Sequence, residues 1–149
     1  MRIARDGERY LVALEPGESV RTELEAICGK HDIRTGIIRH CIGAVKDLKL
    51  AFYELPARKY IPIEVDDDTY EVAAGQGNLT WKDGKPFLHM HVVATDREGM
   101  AGGGHLVDAI VAVTLEIEIV SYKDDIIVRE YDDRVGLPVW RFPERKDGR

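Results

Sequence analysis

The sequence predicts an α+β fold, with residues 1–149 forming a single compact domain around a largely antiparallel sheet of about seven strands and one or two helices. Three observations lead there. Only one long segment carries apolar residues at helical spacing, several others alternate apolar and polar residues, and short turns rather than helical crossovers join them. With 149 residues, 44% of them hydrophobic and 32% charged, the chain has the size and balance of one globular domain able to bury a continuous core.

The elements follow in order. Residues 10–14, YLVAL, form a first strand that Pro16 and Gly17 end. Ser19 is the expected N-cap of a helix whose Val20, Leu24, Ile27 and Cys28 share one face, closing near Gly29 or residues 30–32, with His31 at its end. Residues 35–45 and 46–55 then read as two strands, bent into one another near Gly43 and residues 45–47, with Leu48, Leu50 and Phe52 on one side. The segment KYIPIEV alternates at Ile61, Ile63 and Val65, and Pro62, which has no N–H, assigns it to an edge or a bulge. Asp66, Asp67 and Asp68 make an acidic turn. They lack the alternating oxygen ligands and closing glutamate of a helix-loop-helix calcium site. Residues 69–81 form a strand or strand pair broken at Gly75 and Gly77, whose GxG lacks the third glycine of a dinucleotide loop.

Asp83-Gly84 marks a tight hairpin turn. In the strand after it, residues 86–95, Leu88, Met90, Val92 and Ala94 form a wholly apolar face that must be core. Phe87, His89, His91 and Val93 form the other face. Gly102, Gly103 and Gly104 require either unusual dihedrals or a close approach by another backbone, and they lead to His105 and a short turn or helix at residues 106–109. The strongest strand follows, with Val111, Val113, Leu115, Ile117 and Ile119 facing one way. A last strand is expected at residues 126–130. Beyond it lies a loop in which Pro138 and Pro143 argue against a terminal helix.

Composition narrows the function. Charges interrupt every apolar run well short of the roughly 18 residues a membrane helix needs. Cys28 and Cys41 are too few for a disulfide scaffold, and the charged N-terminus leaves no clean signal-peptide core, so a cytoplasmic location is expected. A net charge of -6 gives no general attraction to a phosphate backbone. Arg39, His40, Lys46 and Lys49 are the nearest thing to a basic patch in the first half, and Arg141, Arg145, Lys146 and Arg149 read as a solvated tail.

The functional lead is the placement of three of the five histidines, His89, His91 and His105, in one window. His89 and His91 lie two apart on a strand and so share a face, and a third imidazole would complete a set suited to a borderline divalent metal, zinc above others, with a fourth position open. The same residues could instead form a polar interface, a small-molecule pocket without metal, or unrelated structural contacts. Glu71, Asp96, Asp108 and Glu116 are candidate bases for metal-assisted chemistry, and the sequence does not rank them; the catalytic residues are unknown at this level. His40 beside Arg39 is a candidate anion contact.

The chain also resembles the plant and prokaryote conserved (PPC) domain in its stand-alone prokaryotic form. The matching pieces are LEPGESV (14–20), IGAV (42–45), YEVAAGQGN (70–78), DGKPFLHMHVVATDREG (83–99), GGHL (103–106) and VGLP (135–138), in order along nearly the whole chain. Arg39 and His40 stand where many members carry a Ser-Gly pair. The resemblance implies a mixed α/β domain that assembles as a homotrimer with the histidine region near subunit contacts, and it matches His89, His91 and His105 to the histidines proposed to hold a metal. Plant members carry a basic AT-hook that binds the DNA minor groove; this chain has no Arg-Gly-Arg core and no basic arm. The expectation is a homotrimeric metal-binding protein with a small-ligand pocket and no direct nucleic-acid contact. The alternative is a DNA-associated or protein-interaction module in which any metal is structural.

Overall fold

In the computed structural model, which describes residues 1–66, 68–124 and 126–142, nine strands and one helix follow one another along the chain. They are β1 (Arg2–Asp6), β2 (Arg9–Leu14), α1 (Val20–Lys30), β3 (Thr35–Glu54), β4 (Lys59–Ile63), β5 (Tyr70–Lys82), β6 (Lys85–Thr95), β7 (Ala101–Tyr122), β8 (Val128–Asp132) and β9 (Leu137–Arg141). Asp67 of the acidic turn, Pro143, and Arg145, Lys146 and Arg149 of the basic tail lie outside the described residues.

The sheet runs β1-β2-β7-β3-β5-β8-β9, with β4 on the far end of β3. All pairings are antiparallel except the single β5–β8 contact at Trp81 and Val128. Strand β6 pairs with β5 on one side and β7 on the other, while β3 joins β5 and β7, so these four strands close into a ring. Helix α1 lies against β6 and β7. Its buried face is Val20, Leu24, Ile27 and Cys28, as its spacing requires. Ser19 caps it by accepting the Thr22 N–H, and His31 is the C-cap. Burial in this core pushes the Cys28 thiol up to about 11 and the Cys41 thiol up to about 12, which makes both side chains packing residues. No helix among the described residues is long and apolar enough to cross a membrane.

Four local expectations need correction. Residues 35–54 form one strand, because Gly43, at φ +139°, allows a bulge that turns the chain without ending its pairing; a side chain there would strike the Thr114 carbonyl oxygen. The matching irregularity in β7 throws Val113 outward to 63% exposure, out of line with Val111 and Leu115. Residues 106–109 are strand rather than turn or helix, and β7 passes straight through the glycines. Residues 137–141, expected as loop, form β9, where Pro138 is tolerated because β9 is an edge that pairs only with β8. Strand β1 was also hidden in the sequence. Phe52 is 66% exposed because β3 has by then left the ring and pairs with β4.

Candidate metal centre

Strand β6 positions two of the three histidines by its pleat. Leu88, Met90, Val92 and Ala94 are all buried in the core, so His89 and His91 must project to the opposite side. On β5 their partners are Asn78 and Gln76, with Gly77 between them. A Cβ on Gly77 would collide with the His89 carbonyl oxygen and stand 2.8 Å from the Met90 Cα, so the close seating of β5 on β6 depends on that glycine.

His105 arrives on β7 directly across from His91. None of Gly102, Gly103 or Gly104 has a positive φ. The role of the last two is close approach: a side chain on Gly103 would strike the Val92 carbonyl oxygen, and one on Gly104 would lie 2.8 Å from Ile63 Cδ1 and 3.1 Å from the Ala51 carbonyl oxygen. His105 is thereby held between β6 and β3, with Ala51 as its other strand partner.

The three rings form a triangle with centroids 5.1, 5.2 and 5.5 Å apart, and one nitrogen from each lies within 4.8 Å of the others. His89 and His105 are partly buried and His91 is exposed. Desolvation holds the His89 imidazole down to about 4, helped by Arg129 and the other two histidines; the same burial, with His91, Arg21 and Arg129, holds His105 down to about 4. Both are therefore neutral near pH 7, the protonation state a metal ligand needs. His105 Nδ1 is buried with no hydrogen-bond partner among the described residues, and Tyr60 of β4 stacks on the His105 ring at 4.6 Å. A His-only cluster able to coordinate a divalent metal is present, and it is the one such group of three among the described residues.

A cavity of about 320 Å³ opens beside His89 and His105. Tyr60, Phe87 and Lys82 form part of its wall, Leu137, Pro138 and Val139 of β9 another part, and Arg129 of β8 enters it. Tyr60 and Arg129 were not among the residues singled out from the sequence. No local pattern marks them, since each reaches the histidines only through sheet pairing. A larger groove of about 500 Å³, lined by Arg2, Leu11, His40 and Glu116, contains none of the three histidines.

The candidate bases lie elsewhere. Asp108 accepts the Ser19 hydroxyl and the N–H groups of Arg21 and Ala109, an anchor for the start of α1. Asp96 accepts the N–H groups of Glu98 and Met100 in the β6–β7 turn. Glu71 is exposed on β5 opposite Thr95, and Glu116 lines the separate groove with His40. None of the four lines the histidine cavity.

The family model of the Plants and Prokaryotes Conserved domain, abbreviated PCC or PPC, matches residues 1–123. The chain belongs to the PCC family. Solved structures share its fold. A PPC protein of Pyrococcus horikoshii is 33% identical, with 94% of this chain and 93% of that one covered and a TM-score of 0.83. A metal-containing protein of Archaeoglobus fulgidus is 28% identical, covering 91% and 94% at a TM-score of 0.83. A provisionally assigned DNA-binding protein of Bacteroides thetaiotaomicron is 26% identical, covering 95% and 96% at a TM-score of 0.87. Among curated proteins, a bifunctional protein GlmU of Synechococcus is 23% identical over 128 residues, which are 85% of this chain. This PCC chain spans only 19% of that relative's length.

Proposed function

We propose that this PCC domain, taken as one unit over residues 1–149, is a homotrimeric metal-binding protein in which His89, His91 and His105 hold one divalent ion, zinc foremost, beside a pocket for a small ligand. The observation that carries the proposal is the convergence of three imidazole nitrogens within 4.8 Å. The donor set fits such an ion. Two of the imidazoles are neutral, and the buried, unpartnered Nδ1 of His105 is a polar atom that burial leaves costly unless something binds the ring. The similar Archaeoglobus protein is metal-containing. Three nitrogen ligands leave a fourth position of a tetrahedral site open.

When bound, the ion would act as a Lewis acid toward a polar group of the ligand. The chain's own residues would hold that ligand. Tyr60 and Phe87 supply aromatic walls, β9 supplies an apolar one, and Arg129 supplies charge. With the four candidate bases outside the cavity, the proposal is for binding, and no catalytic residue is assigned.

The trimer is supported by apolar surface beside the cluster. His91 is exposed, and Val93 and Val107, two residues beyond His91 and His105, are 45% and 42% exposed. A neighbouring subunit there would cover the valines and could complete the site. The two buried, unpaired thiols accord with the reducing cytoplasm, where we place the protein.

Metal analysis of protein purified without an affinity tag is expected to show about one ion per chain. No metal, together with unchanged thermal stability in chelator, would overturn the proposal. Light scattering should give a trimer mass, and a monomer near 16.8 kDa would overturn that part. The DNA-associated reading draws on the Bacteroides relative and is opposed by the net charge of -6. A duplex affinity that falls steeply with salt would favour it instead.

A further inference from the structure

The cavity beside the histidines is positively lined in an acidic protein. Arg129 and Lys82 are its charged members, and no Asp or Glu among the described residues lines it. Arg129 is only partly exposed, and its three hydrogen bonds all go to neutral oxygens: Nε to Thr80 Oγ1 at 3.0 Å, Nη1 to the Pro138 carbonyl at 2.8 Å and Nη2 to Asn78 Oδ1 at 2.8 Å. Among the described residues it has no ion pair. These bonds fix the guanidinium in place and leave two of its five N–H donors uncommitted. A partly desolvated cation without a counter-ion is costly by itself, and an arriving anion removes that cost.

The rest of the wall defines the ligand's other end. Phe87 lies 4.8 Å beneath the Arg129 guanidinium and 5.9 Å from Lys82 Nζ, and Leu137, Pro138 and Val139 close the β9 side. At about 320 Å³ the space suits a small molecule. We infer that this cavity takes a small organic anion, its charged head at Arg129 beside His89 and His105 and its apolar body against Phe87 and β9. The inference rests on reading the cavity as a ligand site. It does not require the metal, because the cation that recognises the head belongs to the chain.

The test is calorimetric titration of the full chain, as purified and after chelation, with phenylacetate, its neutral isostere phenylacetamide, and acetate as a head without a body. Phenylacetate is expected to bind at least about tenfold more tightly than either of the others, in the chelated protein as well. Arg129→Met should abolish the preference for acid over amide. Because Arg129 also ties β8 and β9 to β5, Lys82→Gln is the second variant; it should keep the native circular dichroism and weaken phenylacetate about three- to tenfold. Equal binding of acid and amide, acetate as tight as phenylacetate, no binding to the chelated protein, or an undiminished preference in Lys82→Gln would overturn the inference. A protein that contains metal but shows no preference for the acid retains the metal site and loses this proposal. One that lacks metal but prefers the acid does the reverse.

Discussion

His91 on β6 and His105 on β7 are direct cross-strand partners, with ring centroids 5.5 Å apart and planes 85° to one another. The pair ties the metal proposal to the closure of the strand ring, since β6 and β7 meet only over residues 91–95 and 101–105. Any change that loosens this short ladder also separates the proposed ligands.

Removal of an imidazole should therefore remove the metal while sparing the fold. His105→Ala and His91→Ala are each expected to lower metal affinity by more than the ~10–100-fold typical of losing an outer hydrogen-bonding partner. Metal content after dialysis, with circular dichroism as a control for folding, checks this. Retention of a full metal complement in either variant would remove that residue from the ligand set.

Acid should destabilise the metal-free protein in a defined window. His89 and His105 are held down to about 4 in the folded state, against 6.5 for the unperturbed group. Between those values the unfolded chain binds more protons than the folded one, so stability falls as pH falls from about 6.5 towards about 4 and the loss levels off below that. Urea midpoints measured across this range in chelator should show the decline, and His89→Asn should make it shallower.

Within the glycine triplet the middle position should be the intolerant one. Gly102 has nothing within 4 Å of where a Cβ would stand, whereas a Cβ on Gly103 meets the Val92 carbonyl and lies 3.2 Å from the Val93 Cα. Gly102→Ala is expected to be neutral or to stabilise by about 0.4–1 kcal/mol through the unfolded chain. Gly103→Ala should destabilise by about 1–3 kcal/mol and weaken metal binding, because strand β7 must shift away from β6. Thermal melts and metal titrations of the two variants separate these outcomes.

Asp108 should prove structural. It gathers the Ser19 hydroxyl and the Arg21 N–H at the start of α1 together with the Ala109 N–H of its own strand, so Asp108→Ala is expected to cost about 1–3 kcal/mol of stability with metal content unchanged. Chemical denaturation and metal analysis of the same preparation provide the check. A variant of native stability that loses metal would return Asp108 to the site.

What could be recognised along the chain was whatever depends on near neighbours. The apolar stripe of α1, the cap at Ser19, the Asp83-Gly84 turn and the two faces of β6 all follow from spacings of a few residues, and each lies where that spacing puts it. Pro62 likewise limited β4 to an edge or a bulge, and it is an edge, paired only with β3. Strands β1 and β9 escaped notice because neither carries a buried stripe; Arg2–Asp6 is almost entirely exposed, and it is pairing with β2 that makes it a strand. The same holds for Gly103 and Gly104 before His105, whose ordinary dihedrals suit a strand once β6 crowds the one and β3 the other.

The sequence by itself determined that His89 and His91 share a face and that the opposite face is core, because a strand's pleat repeats every two residues whatever surrounds it. It also carried the family resemblance, whose pieces stand in order along the chain. Only the tertiary structure decided that His105 closes the triangle, that Tyr60 stacks upon it, and that Arg129 stands beside it with no acidic partner among the described residues. Those relationships join the consecutive strands β6 and β7 to β4 and β8, which lie far from them in sequence, and only the closure of the sheet brings their side chains together.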